Sequence, residues 1–475
     1  MKKARRKQIA IFFGVAAAVF LFFNYFERSL ENAVIVPVAA WLTTPFVLFL
    51  AAIAVVPFIN RRWWEHNYPV VAYVLGALVV GYYALVLDNV PRLLLTFRDY
   101  VSFISLIGSL FVVAGGIHLR MRGKAAPWEN VTLLVTGAVV SNFLGTTGAS
   151  MLLIRPYLRI NKYRIKGYHV VFFIFLVSNI GGALTPIGDP PLFLGYLKGV
   201  PFFWILTRAW QPWLLVLGLV LLAFFLIDRH HFRKASERVQ ELAAHPDEPR
   251  VSGLHNVWYL LVILGAVFIQ KPVMLREIIM WSAAIASYYT TKQEIHEKNE
   301  FNFVPIKEVA ILFLGIFATM IPALDWLELN ASVLGIVSPG QYFWGTGVLS
   351  SFLDNAPTYL NFLSAAFGLH GANVDNLVHM QAMLGASTTE ALGLANPLHP
   401  GALAISAETW KYVQAISLGA VFFGATTYIG NGPNFMVKSI SEQAGVQCPS
   451  FFGYIFKYSL PVLTPVFFVV WLLFF

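Results

Sequence analysis

Two carboxylates stand where carboxylates are costly. Asp189 lies in Thr185-Pro186-Ile187-Gly188-Asp189-Pro190-Pro191, and Asp354 lies in Ser350-Ser351-Phe352-Leu353-Asp354-Asn355-Ala356-Pro357; both motifs interrupt long apolar stretches. A carboxylate within a bilayer costs roughly 3 kcal/mol on insertion scales unless it is partnered. A bound cation relieves that cost, and so does a proton, but one carboxylate cannot hold both. That competition is the minimal basis of cation/proton exchange. Asp189 and Asp354 are therefore the candidate Na+ ligands, and no resident cofactor is expected. Thr146, Thr147, Thr185, Ser350, Ser351 and Thr427 add neutral hydroxyl oxygens, and Asn142, Asn179, Asn355 and Asn431 add amides. Gly188 and Gly430 permit unusual backbone angles, while Pro186, Pro190, Pro191 and Pro433 deny helical N–H bonds. Unwinding there frees carbonyl oxygens and half-helix ends; the N-terminal ends attract anions, and loose carbonyls suit Na+. A plainer use exists for the same residues. Asp beside Gly or Pro caps helices and forms turns, and the amides could simply tie hairpins together.

The elements that carry these residues belong to a membrane. Of 475 residues, 58% are hydrophobic, 15% aromatic and only 12% charged, about half the charged share of roughly 25% in soluble proteins. This composition excludes a soluble enzyme, a disordered chain and a nucleic-acid binder. The net charge of +9 fits Lys and Arg held in cytoplasmic loops. Cys448 is the lone cysteine, and no CxxC, HExxH or P-loop pattern occurs. The start, Met1-Lys2-Lys3-Ala4-Arg5-Arg6-Lys7 followed by apolar Ile9 to Phe23, reads as an uncleaved first span with its N-terminus in the cytoplasm.

Apolar runs of spanning length fall at 9–26, 38–59, 69–87, 100–119, 168–198, 209–227, 255–270, 272–290, 304–323, 411–438 and 455–475. Two further stretches, 129–154 and 339–368, are interrupted by small and polar residues. Arg120, Arg122 and Lys124 precede the first, and Arg155, Arg159, Lys162, Arg164 and Lys166 follow it. Both flanks are basic, so a re-entrant hairpin keeps both in the cytoplasm. No Lys or Arg occurs from Glu308 to Trp410, and Asp325, Glu328, Asp375 and Glu390 flank the second stretch. That hairpin should enter from outside. The expected fold is an all-α polytopic membrane protein of about eleven crossing helices with two opposed re-entrant hairpins. His118 and His169 fall near predicted cytoplasmic ends, Arg276 and Glu277 could pair locally, and Asp88 and Glu308 should be solvated.

The halves repeat. Gly182-Ala183-Leu184-Thr185-Pro186-Ile187-Gly188-Asp189-Pro190-Pro191 aligns with Gly424-Ala425-Thr426-Thr427-Tyr428-Ile429-Gly430-Asn431-Gly432-Pro433 at six identical positions of ten. Five crossings per half invert the second copy. The layout is an anchor span over 1–37, a first repeat over 38–227, a cytoplasmic linker over 228–254 and a second repeat over 255–475. Inverted repeats with broken helices mark secondary transporters whose sites lie near the midplane.

At Ser141–Gly148, Ser178–Asp189, Ser350–Thr358 and Thr427–Asn434 the sequence resembles the ion transporter superfamily, which includes citrate-transporter-like proteins, arsenite permeases and NhaD-type sodium/proton antiporters. The antiporter branch is the most similar. The resemblance implies two hairpins, a homodimer and an elevator-like shift. In the dicarboxylate symporters, contiguous Ser-Asn-Thr tips hold the substrate; here the tips read Ser141-Asn142-Phe143 and Ser350-Ser351-Phe352. The expectation is a multi-pass inner-membrane Na+(Li+)/H+ antiporter, with the lipid bilayer and a small cation as its partners. The alternative is a Na+- or H+-coupled citrate, dicarboxylate or oxyanion transporter.

Overall fold

The computed structural model describes residues 2–27, 35–120, 125–234, 250–385 and 402–475, and most of the chain is helical. In chain order the helices are α1 (Lys2–Tyr25), α2 (Thr44–Ile59), α3 (Arg61–Leu85), α4 (Val90–Gly115), α5 (Pro127–Ile160), α6 (Gly167–Leu176), α7 (Pro190–Leu197), α8 (Trp204–Arg233), α9 (Asn256–Ala266), α10 (Leu275–Thr290), α11 (Gln293–Lys298), α12 (Val304–Asn330), α13 (Pro339–Phe352), α14 (Asn355–Leu369), α15 (Leu377–Met383), α16 (Trp410–Phe423), α17 (Gly432–Gln443) and α18 (Phe451–Phe474). A short antiparallel ribbon pairs His118–Arg120 with Arg250–Ser252. Much of the linker 228–254, and the loop near 386–401, lie outside the described residues.

Among the described residues, eight segments are long and apolar enough to cross a bilayer. They include the interrupted α5 and the stretch Gly167–Leu184, 94% of whose most apolar window is shielded by protein rather than left for lipid. The sequence count of eleven differs at identifiable places. The runs at 255–270 and 272–290 fold as helices of 11 and 16 residues, and 411–438 is split between α16 and α17.

Two helical elements fold back on themselves. α5 breaks at Gly145, whose φ of +72° and ψ of 157° lie in a region open almost only to glycine. The arms then run side by side: Asn130 and Asn161 exchange amide hydrogen bonds of 2.9 and 2.8 Å. A Cβ on Gly137 would sit 3.2 Å from Leu153. α13 and α14 are separated by Leu353 and Asp354, and their arms also meet, with the Tyr342 and Phe362 rings 6.1 Å apart. Small residues on the facing sides let the arms approach this closely.

The two broken helices share one conformation. After α6 come a 3-10 turn at Ile180–Leu184, extended Thr185 (φ −135°, ψ 154°), and Asp189 (φ −142°, ψ 145°) at the head of α7. After α16 come a 3-10 turn at Gly424–Thr426, extended Thr427 (φ −138°, ψ 167°), and Asn431 (φ −153°, ψ 144°) at the head of α17. Their cross-braces match. Thr185 Oγ1 donates to the Asn142 carbonyl at 2.7 Å, and Thr427 Oγ1 donates to the Ser351 carbonyl. The Gly188 N–H donates to Thr185 Oγ1 at 3.0 Å, and the Gly430 N–H to Thr427 Oγ1 at 3.1 Å.

Candidate functional site

The tips of the two folded-back elements and the two broken helices converge on Asp189. Its side chain is buried at 1% exposure. Oδ1 accepts from Thr146 Oγ1 at 2.7 Å and from Asn431 Nδ2 at 3.0 Å, and Oδ2 accepts from Asn355 Nδ2 at 2.6 Å. Thr146 follows the Gly145 break, Asn355 opens α14 and Asn431 stands at the head of α17, so both halves of the chain contribute. All three donors are neutral. Among the described residues no Lys, Arg or His pairs with Asp189.

Counting lone pairs defines what remains. A carboxylate offers about four acceptor positions. Two on Oδ1 and one on Oδ2 are taken, which leaves Oδ2 free to accept once more. Beside it, Asn355 Oδ1 is buried and has no partner. A buried polar atom without a partner costs about 1–3 kcal/mol. A small cation seated between these two oxygens would satisfy both. A proton on Oδ2 would do the same, donated to the Asn355 oxygen after half a turn of the amide.

The support behind this group is layered. Asn431 Nδ2 also reaches the Ser178 carbonyl and Asn179 Oδ1, each at 3.2 Å. Asn179 donates to Asn434 Oδ1 at 2.7 Å, and Asn434 donates to the Gly424 and Thr427 carbonyls at 2.8 and 2.9 Å. Asp189 and Asn431 head α7 and α17, and Asn355 and Thr146 lie at two further helix starts. The positive ends of several half-helices therefore face the carboxylate and offset its charge. A cavity of about 30 Å³, room for about one water, touches Thr146, Thr147, Gly188 and Asp189.

The other sequence candidates have different work. Asn142 donates to the Gly181 carbonyl at 2.7 Å and accepts from the Leu184 N–H at 3.0 Å. Ser350 donates to the Ala420 carbonyl at 2.6 Å, and Ser351 donates to the Gly347 carbonyl at 3.0 Å. With Thr185 and Thr427, these side chains fix backbone. Gly188 and Gly430 pass against Gly182 and Gly424 so closely that a Cβ on Gly430 would lie 2.7 Å from the Gly424 oxygen. Asp354 caps α14, accepting from the Ala356 N–H at 3.0 Å. Its neighbour Asn355, rather than Asp354 itself, reaches Asp189.

Sequence reasoning missed two buried charge clusters. Arg92 bonds Asp325 at 2.7 Å and Asp375 at 2.5 Å, while Lys198 bonds Asp99 at 2.8 Å and Asp375 at 2.5 Å. Elsewhere Asp228 is held by Arg164 at 2.5 Å and Tyr168 at 2.6 Å, with Asn130 at 3.1 Å closing the base of α5. His169 is fully buried, with Nε2 3.3 Å from Asp228, where α6 packs against α8. Arg276 and Glu277 do pair, at 2.7 Å, and Asp88 and Glu308 are exposed. Among the described residues no three His, Cys, Asp or Glu side chains form a metal-binding group.

Comparison with known proteins adds two findings. A family model described as "Putative citrate transport" matches residues 36–475. An uncharacterized transporter of Synechocystis sp. is 26% identical over 327 residues, covering 64% of this chain and 68% of that protein.

Proposed function

Since the chain belongs to this citrate-transport family of multi-pass membrane proteins, we propose that it is a secondary active transporter exchanging Na+ or Li+ for H+ at Asp189. The observation that carries this reading is a buried carboxylate with neutral partners only, one free acceptor position and an orphaned amide oxygen beside it. Cation and proton compete for that position, so each can drive the other. On this reading α5 and the α13–α14 pair are opposed re-entrant hairpins, the repeats over 38–227 and 255–475 are inverted, and the chain lies in the inner membrane as a homodimer. Asp354 is a second carboxylate near the pathway. In this reading the mechanism is of the NhaD-type antiporter kind.

A second reading is cation-coupled uptake of citrate or a similar anion. The family's description favours it, and so do the half-helix N-termini facing the site. There Asp189 holds the coupling cation and the anion lies against the helix starts.

Purified protein in liposomes separates the two. With a pH gradient imposed, Na+ or Li+ should discharge the gradient, K+ and citrate should not, and Asp189→Asn should abolish the response at unchanged protein level. Na+-dependent uptake of labelled citrate without proton exchange would replace the first reading with the second. Wild-type exchange by Asp189→Asn would remove Asp189 from the account.

A further inference from the structure

One helix measures the depth of the whole site. Along α4 come Arg92 and Asp99 in the ionic network, then Leu106, Leu110 and Phe111 on the cavity beside Asp189. Next come Ala114 and Gly115 on a second cavity of about 20 Å³. At about 1.5 Å per residue, roughly 10 Å separate Asp99 from Leu106. The second cavity shares Phe111 and Gly148 with the first, and its far wall carries Arg155, Asn299 and Phe301. Arg155 is partly exposed and pairs at 2.9 Å with exposed Glu300. Two adjoining water-sized cavities between α4 and the second arm of α5, a narrow seam, thus line up from Asp189 towards partly exposed Arg155.

The ionic network lies towards the other end of α4. Two helices that begin at the site lead, through the residues that follow them, to the ionic network. α7 starts after Asp189 and is followed by Lys198; α14 starts at Asn355, and Asp375 follows it. Lys198 and Asp375 bond each other, and each also bonds α4, through Asp99 and Arg92. Arg92 is anchored in turn to Asp325 of α12, which also accepts from Tyr83 of α3 at 2.8 Å. The network therefore ties the site-bearing helices to α3, α4 and α12. One turn beyond Asp325, Glu328 is buried and its Oε2 has no partner. This leaves a vacant seat for Arg92 one helical turn away.

We propose that Arg92, Asp99, Lys198 and Asp375 form an ionic gate that closes one side of the site while the seam past Phe111 and Gly148 gives access from the other, and that the gate opens as the seam closes. This deepens the transport reading and rests on it. The Asp228 cluster does not serve this purpose, because its partners all lie on α5, on α8 or between them, close to the base of one folded-back element.

The test uses two single-cysteine reporters in the full chain, in a Cys448→Ser background and in nanodiscs, where both faces meet a polar maleimide. Met151→Cys lies on the seam, and Val374→Cys lies behind the gate at 1% exposure. Met151→Cys should label at least about tenfold faster. Adding Lys198→Gln, or in a separate protein the isosteric Asp375→Asn, should speed labelling at 374 and slow it at 151. Local loosening alone would raise the first rate without lowering the second, so unchanged or faster labelling at 151 in both variants overturns the proposal. Flux is measured in parallel. Reciprocal labelling in a protein that moves no Na+, Li+ or citrate upholds the gate and overturns the cargo. Na+ exchange without reciprocal labelling does the reverse.

Discussion

On the proposed reading, cation binding turns on Asn355. It donates to Asp189 at 2.6 Å while its own oxygen goes unsatisfied. A hydrogen bond to a charged group contributes about 1.5–3 kcal/mol, and cation binding would draw on the orphaned oxygen as well. Asn355→Ala should therefore raise the apparent Na+ KM about tenfold or more, since 1.4 kcal/mol is a factor of ten. The maximal rate should change less. Initial rates of proton movement against Na+ concentration measure this, and an unchanged KM would show that the cation sits elsewhere. Thr146 and Asn431 complete the carboxylate's partners from opposite halves of the chain. The sequence pointed to hydroxyls and amides as a class, but not to which of them meet. Asn142, Ser350 and Thr427 have the same chemistry as Thr146 and Asn355 yet bond backbone carbonyls. Only the fold decides which side chains face inward.

At the scale of elements, the broken helices depend on backbone passing backbone. A Cβ at Gly188 would overlap the Gly182 carbonyl, whereas Gly432, just past the matching break, has nothing within 4 Å. Gly188→Ala should abolish transport and lower the melting temperature of detergent-purified protein, by a ΔΔG of about 1–3 kcal/mol from forced strain. Gly432→Ala should be near neutral. Thermal unfolding followed by fluorescence compares the two, and equal stability would mean the close approach carries no constraint. These breaks were legible because six of ten positions recur and because Pro and Gly interrupt apolar runs. The turns at Gly145 and at Leu353-Asp354 fall within the two stretches that small and polar residues interrupt; their entry from opposite sides of a membrane, read from the flanking charge, belongs to the proposed reading. The partners of the ionic network were not legible. Arg92 meets Asp325 and Asp375 across 233 and 283 residues of sequence, and a single sequence holds no signal at that range.

For the molecule as a whole, the charges divide by task. Burial alone would raise the Asp375 carboxyl, but Lys198 and Arg92 beside it hold it well below the usual carboxylate range. It stays ionised near neutral pH, so the network's contribution to stability is present there and is lost only as the medium becomes strongly acidic. Asp189, by contrast, has neutral partners only, and on the proposed reading it is the carboxylate that exchanges the proton. The direct test is proton release from the purified, unbuffered protein when NaCl is added, with choline chloride as the control. Wild type should release about one proton per chain, Asp189→Asn none, and Asn355→Ala should release it with a reduced Na+ affinity. Release from Asp189→Asn equal to that of wild type would contradict the proposed reading.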